Sequence, residues 1–527
     1  MKITRNDNEE FTIDGVRLSA QQSEIIKCDD NIVVSASAGT GKTRTMVSKI
    51  IYDLERNKTH KVIAAITFTI KATQKIRDRL TLDVVQNFIG TNNNFAIEEI
   101  IKPFMKDVYG EEYNLDFDTD YDGSKFQSFQ DGITLMKDNS TIHSYQGTQD
   151  FVFELALNIV KKSKACQLFL QAKYFCIYID EYQDCDAEMH SFFMYLCENL
   201  HIRTFIVGDI KQSIYSWRGA KPELFKAVMG NTNFQSFILT ENHRSCKSIQ
   251  NYSNLLFSET AGLYSNSAVN SDIITVKDCN GSWAAIVASI IDKNKSSALL
   301  RNFNDKDYDN GKQCAKNGAT ALCAGGLESV YIPDTPLDKI TTNTLWLYTA
   351  IARFILIEKY GVYDFIDVIP AEGGRAIKGV STIKKHLERI QNSSCDKASF
   401  FKEVQLIANL LDYPVADNHL EKLFKTISDS QYAVALSLEL PLHSVLTLHK
   451  SKGLEFEQII IFFEDYKIFN KPIDMRNHYV ACTRAKSKLI IIDTNHADSA
   501  AVKVKLNELF ANVDCREFIS KYSTSDS

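Results

Sequence analysis

The stretch NIVVSASAGTGKTRT, Asn31 to Thr45, runs from β-branched apolar residues through a small-residue turn into a helical pattern. Residues 31–34 predict a short buried strand. From Gly41 onward, KTRTMVSKIIYDL places Met46, Val47, Ile50, Ile51 and Leu54 at helical spacing. Strand, loop and helix in that order are the setting of a phosphate-binding loop. Backbone N–H groups must converge on anionic oxygens, so the loop needs small side chains, and the helix turns its positive end toward the anion. The spacing G-x-x-x-x-G-K-[ST] is met everywhere except at Ala36, where the pattern has its first glycine. An extra methyl is tolerable at the strand-to-loop junction provided φ stays negative. The loop is read as Ala36, Ser37, Ala38, Gly39, Thr40, Gly41, Lys42, Thr43 and Arg44. Gly39 and Gly41 keep the close approaches open. Lys42 is expected at the β- and γ-phosphates of ATP, and the Thr43 hydroxyl at its Mg²⁺.

The same alternation continues outward. KVIAAITF and KATQKIRDRL read as a second strand and helix, and KYFCIYID, RTFIVGD and NFQSFILT as further strands. A second α/β unit is expected from SDIITV, SSALLR, HSVLTL, QIIIFF and KLIIID. The fold class is therefore α/β, with two parallel-sheet units, each interrupted by a mainly helical insertion. The expected boundaries are 1–80 with 171–236 for the first core and 81–170 for its insertion. The second core takes 237–330 with 440–527, and its insertion 331–439.

Composition bounds the function more loosely. The chain has 527 residues and a formal net charge of −6, which gives no support to bulk nucleic-acid binding by charge. The charge is uneven. Ile66–Leu80 carries four basic residues and one acid; Asp107–Asp122 carries seven acids and no base. The first suits phosphates, while the second opposes them and is expected to face solvent or a protein partner. The 12 cysteines form no C-x-x-C, which argues against a zinc or iron–sulfur site. No apolar run reaches the length of a membrane span, and the polar N-terminus lacks the apolar middle of a signal peptide. The expectation is a cytoplasmic protein.

YIDEYQD, Tyr178–Asp184, closes an apolar strand, where open parallel sheets place their ligands. Asp180 is expected to hold Mg²⁺, and Glu181 to accept the proton of the attacking water. Cations are also needed at the γ-phosphate in the transition state. Arg244 in LTENHRSC and Arg484 in YVACTRAK are the candidates.

The ordered series LSAQQSEII, ASAGTGKT, TFTIKATQKIRDR, IDEYQD, VGDIKQSIYSWRGA, LTENHRS, TLHKSKGLEFEQ and YVACTRAK resembles superfamily 1 DNA helicases of the UvrD/PcrA/Rep type. The resemblance spans residues 18–488 and implies two RecA-like cores. It implies that Gln22 bonds the adenine edge and that Gln212 senses the γ-phosphate. Arg244 and Arg484 would act as arginine fingers; Glu455, beside Gly453, would meet the ribose. For single-stranded DNA it implies base stacking on Phe68, Tyr215 and Trp217, with Arg218, Thr67 and His449 on backbone-contacting segments. Three departures stand out. His243 replaces the usual base-stacking tyrosine, which points to relaxed nucleotide selectivity among NTPs and dNTPs. Ile70 replaces an asparagine. Both insertions are short for a processive helicase, which weakens the expectation of strand separation.

Outside those motifs, NKTHKVIAAITFT, NFIGTNNNF, IIKPFMKDVYG, AKYFCIYIDEYQDCD and YIPDTPLDK resemble the GajB family, the UvrD-like subunits of Gabija anti-phage defence systems. That resemblance implies a partner, a GajA-type OLD-family nuclease with ATPase and Toprim domains, in a large hetero-oligomer. It also implies hydrolysis switched on by DNA ends. The alternative allowed by the same motifs is a stand-alone 3′–5′ repair helicase.

Overall fold

The computed structural model describes residues 3–5, 11–13, 16–80, 87–113, 117–119, 121, 124–265, 272–278, 281–306, 312–340, 342, 344–369, 379–393, 396–411, 413, 415–467, 473–514 and 519–522. They form two compact units. The first takes Met1–Ala36, Lys42–Leu239 and Thr335–Leu436; the second takes Ser37–Gly41, Thr240–Asp334 and Ser437–Ser527.

The first unit is built on a parallel sheet with strand order Gln235–Leu239, Ile32–Ala36, Arg203–Gly208, Tyr174–Ile179, Val62–Thr67, Phe88–Thr91. Its central strands Ile32–Ala36, Tyr174–Ile179 and Val62–Thr67 are largely apolar because both faces are covered, whereas the edge strand Gln235–Leu239 is mostly exposed. On one face Val33, Ala64, Ile66, Ile177, Ile179 and Ile206 join a core with Phe95, Phe153 and Phe192 of the helices that cover it. On the other, Val34, Ala36, Ile63, Ala65, Tyr178 and Val207 pack with Met46, Val47, Ile50 and Ile51 of the helix Lys42–Arg56. Helix starts follow cap chemistry. Ser19 and Gln22 form a capping box at Ala20–Lys27, and the Thr69 hydroxyl accepts from the Ala72 N–H at Ile70–Arg79.

The structure corrects the sequence reading in several places. Phe88–Thr91 lies beside Val62–Thr67 as an edge strand of the sheet, within the stretch assigned to a helical insertion from residue 81. Four residues ending in Gly-Thr carry too little periodicity to announce a strand. The insertion is helical over Phe129–Asn139, Phe151–Lys162 and Lys164–Lys173, but it also holds two short parallel strand pairs. A small antiparallel sheet, Ile3–Arg5, Phe11–Ile13 and Val16–Arg17, precedes the first helix and was not expected. Of the acidic run, Glu112 pairs with Lys137 at 2.9 Å and Glu111 with Lys106 at 3.4 Å. Asp116, Asp120 and Asp122 lie outside the described residues.

The second helical stretch has its own core, with Leu347, Ile351, Phe365, Leu387, Phe400, Val404, Leu420 and Leu423. In chain order it interrupts the second α/β core, yet Thr335–Leu436 groups with the first unit. There Lys339, Thr342, His419 and Lys422 line a small cavity with Thr119 and Tyr121 of the first insertion.

The second unit carries a seven-stranded parallel sheet. Its order is Val330–Tyr331, His443–Thr447, Ser297–Arg301, Phe456–Phe462, Ala485–Thr494, Ile273–Asp278, Ile519–Tyr522. All five strands expected from the sequence are present, and the two edge strands are additions. Arg301 is buried here, ion-paired to Asp465 at 2.9 Å and Glu464 at 3.0 Å. Among the described residues, no helix is long and apolar enough to cross a membrane.

Candidate nucleotide site and nucleic-acid surface

Three adjacent strands of the first sheet end on the same side. Ile32–Ala36 leads into the glycine-rich loop, Arg203–Gly208 into Asp209 and Gln212, and Tyr174–Ile179 into Asp180 and Glu181. Ala36 is the last residue of its strand, buried and in register with Leu239, without a positive φ. The positive φ values fall instead at Gly39 (79°) and Gly41 (83°), and the helix begins at Lys42. Glycine is therefore needed at 39 and 41, where L side chains are strained, and not at 36. The Thr40 hydroxyl closes the turn on the Ser37 carbonyl at 2.8 Å. Arg44 lies on the first turn of the helix, part-buried, its carbonyl accepting from the Ser48 hydroxyl.

Asp180 is buried at the strand end. Its N–H donates to the Ile66 carbonyl at 3.0 Å, its Oδ1 accepts from the Glu181 N–H at 2.9 Å, and its Oδ2 accepts from the Thr43 hydroxyl at 3.2 Å. Burial, then the neighbouring Glu181 charge, pushes its pKa up to about 6, against the opposing pull of Lys42. Glu181 sits at φ 54°, a left-handed conformation that costs a non-glycine residue about 1–3 kcal/mol. Its Oε2 accepts from Gln183 Nε2 at 2.5 Å. Thr43 and Asp180 offer hard oxygen donors, the kind that would suit Mg²⁺.

Gln212 is buried, and its Nε2 donates to Asp209 Oδ2 at 2.8 Å. Burial alone would raise the Asp209 pKa, but Lys211 at 2.9 Å and Lys42 outweigh it and the carboxyl is held below its usual range. Gln183, to which the sequence reading assigned no role, links these acids. It donates to Glu181, and its Oε1 accepts from the Asp209 N–H at 2.9 Å. Gln22 is buried in its capping box, Oε1 accepting from the Ser19 N–H at 3.1 Å, so this oxygen is engaged locally.

Within the second unit, Arg244 Nε donates to Glu455 Oε2 at 2.9 Å and Nη1 to the Thr483 carbonyl at 3.0 Å. Lys486 reaches the other Glu455 oxygen at 2.8 Å. Burial raises the Glu455 pKa, but the two cations prevail and hold it low. Arg484 is buried and donates to the Val480 carbonyl at 3.0 Å. Gly453 has φ 80° with open space where a Cβ would lie. The half-exposed His243 ring lies 4.0 Å from Glu241.

The expected DNA-contacting residues divide into two kinds. Trp217 is 59 % exposed on the short helical turn Ser216–Arg218, with Tyr215 edge-on at 6.4 Å and the Arg218 guanidinium 4.6 Å over its ring. This is an exposed aromatic–cation step. Thr67 is buried, its hydroxyl shared with Thr73 at 2.7 Å and the Thr69 carbonyl at 3.0 Å, so it builds the loop before Ile70–Arg79 and offers no surface. Phe68 is partly buried against the core, and His449 is part-buried after the strand His443–Thr447. The Ile70 side chain lies outside the described residues.

Residues 18–144 and 91–233 match the UvrD/REP helicase N-terminal domain, and residues 378–496 match the UvrD-like helicase C-terminal domain. The chain is 35 % identical to the Gabija protein GajB of Bacillus cereus (strain VD045) over 507 residues, covering 93 % of this chain and 98 % of the relative. The chain belongs to the GajB family of UvrD-like helicases. As such it is an ATP-hydrolysing, helicase-like enzyme. More distant relatives match over shorter stretches. A probable DNA helicase of Mycoplasma pneumoniae is 26 % identical over 44 % of this chain and 54 % of its own length. The ATP-dependent DNA helicase PcrA of Staphylococcus aureus (strain Mu50) is 26 % identical over 45 % of this chain and 39 % of its own.

Proposed function

We propose that this GajB-family chain is a DNA-stimulated nucleotide hydrolase of Gabija-type anti-phage defence. It is switched on by DNA ends and works with a GajA-type nuclease. The observation that carries the hydrolysis reading is the meeting of Thr43 and Asp180 at 3.2 Å, beside a Glu181 held at φ 54°. In this reading the loop amides and Lys42 bind the β- and γ-phosphates, and Thr43 and Asp180 hold Mg²⁺, which when bound offsets phosphate charge. Glu181 orients the attacking water and takes its proton. Gln212, tied to Asp209, senses the γ-phosphate. Arg244 and Arg484 stabilise the transition-state charge, and Arg244 leaves Glu455 to do so. Gln22 reads the base edge, and His243 stacks on it more weakly than tyrosine, so dNTPs and other NTPs are accepted beside ATP. Trp217, Tyr215 and Arg218 stack single-stranded DNA without sequence preference. The defence role and the nuclease partner rest on similarity to the Bacillus cereus protein along nearly its whole length.

The test is phosphate release by wild type and Glu181→Gln, with and without DNA ends and the partner nuclease. Wild type is expected to respond to DNA, and the variant to bind nucleotide without turning it over. No hydrolysis by wild type with both DNA ends and partner present sinks the proposal. Matches to DNA helicases over about half of the chain favour a second reading, a stand-alone 3′–5′ helicase. Processive, partner-independent strand displacement would establish it.

A further inference from the structure

We infer that Asn242 and Tyr479 are positioning residues that hold Ala38 of the phosphate loop by both of its backbone polar groups. The inference rests on the nucleotide-hydrolysis reading above. The Ala38 N–H donates to the Tyr479 hydroxyl at 3.0 Å, and the Ala38 carbonyl accepts from Asn242 Nδ2 at 3.0 Å. The other end of the same amide is also used: Asn242 Oδ1 accepts from the N–H groups of Arg244 at 2.8 Å and Ser245 at 3.0 Å. Only a side chain with a donor and an acceptor on one planar group can make this bridge. One residue on, the His243 N–H donates to the Gly39 carbonyl at 2.9 Å. All these groups, with Ser37–Gly41, belong to the second unit.

The fit is close. A Cβ on Gly39 would lie 2.5 Å from Asn242 Oδ1, so the glycine makes room for this amide as well as for its own φ of 79°. Tyr479 is 2 % exposed, on the helix Met475–Cys482, its ring edge-on to Phe257 at 5.6 Å. Packing therefore fixes where its hydroxyl points. Asn242 lies two residues before Arg244, and Tyr479 five before Arg484. Each arginine segment thus carries its own hold on the loop backbone. Loss of a hold lets the loop shift relative to Arg244, and displacements near 1 Å cost rate far more than ground-state binding.

The experiment measures steady-state ATP hydrolysis with Mg²⁺ and single-stranded DNA by the full chain, alongside thermal unfolding and DNA affinity. It compares wild type, Asn242→Asp and Tyr479→Phe. Aspartate keeps the acceptor for the Arg244 and Ser245 amides but sets a charged oxygen against the Ala38 carbonyl in place of the donor; phenylalanine removes only the hydroxyl, so Tyr479→Phe is the cleaner of the two. Each is expected to lower kcat about tenfold with KM within about threefold, and to leave melting temperature and DNA affinity unchanged. Wild-type kcat in both variants overturns the inference. So does a kcat loss accompanied by equal losses of thermal stability and DNA affinity, which marks a merely structural role. Absence of hydrolysis by wild type itself would instead bring down the hydrolysis reading on which the inference stands.

Discussion

Ala36 shows how one residue can depart from a pattern without breaking the site. It ends a strand, faces the core and keeps an extended backbone, so its methyl fills space that glycine would leave empty. Ala36→Gly is expected to retain hydrolysis and to lose roughly 0.5–1 kcal/mol of stability to backbone entropy, read by chemical denaturation. Lys42→Ala removes the cation whose field reaches both Asp180 and Asp209. It is expected to cut kcat/KM by about 10²-fold or more, measured by phosphate release. Lys42, Thr43, Asp180 and Glu181 can be proposed from the sequence because a phosphate loop and a strand-end acid pair restrict residue type at fixed spacing. Gln183, Asn242 and Tyr479 cannot. Their value lies in single hydrogen bonds, two of them to partners 204 and 441 residues away, and no local pattern encodes those.

At the scale of elements, two of the aspartate helix caps titrate near neutrality. Asp150 caps Phe151–Lys162, and Asp186 caps Ala187–Glu198. Burial, opposed in part by backbone hydrogen bonds, pushes Asp150 to about 6; burial and then the Asp150 charge push Asp186 to about 7. Both values lie above those of the unfolded chain, so the folded state holds protons the unfolded state has released. Stability should therefore fall as pH rises from about 4 to about 7. Asp186→Asn keeps the cap and removes the charge. It should flatten that slope and exceed wild type at pH 8 by on the order of 1–2 kcal/mol in denaturant titrations. The turn Ser216–Arg218 makes a separate prediction. Trp217→Ala should weaken single-stranded DNA binding by about 1–3 kcal/mol by fluorescence anisotropy, leaving DNA-independent hydrolysis unchanged. The long strands were legible as apolar runs, but Phe88–Thr91 was not, since a four-residue edge strand ending in Gly-Thr looks like a break between helices.

The described residues carry two large parallel sheets, and both could be read from sequence because their central strands, covered on two faces, are apolar. The grouping of Thr335–Leu436 with the first unit could not, because chain order fixes where an insertion leaves and returns but not what it packs against. Function divides in the same way. Nucleotide hydrolysis is read from the loop and the acid pair, whereas the proposed demand for DNA ends is tied to no local motif. The most direct test is steady-state nucleotide hydrolysis by the full chain with no DNA, with closed circular DNA and with an equal mass of linear DNA. Stimulation by linear DNA and not by closed circles is the predicted result. Equal stimulation by both, or hydrolysis indifferent to DNA, would contradict activation by DNA ends.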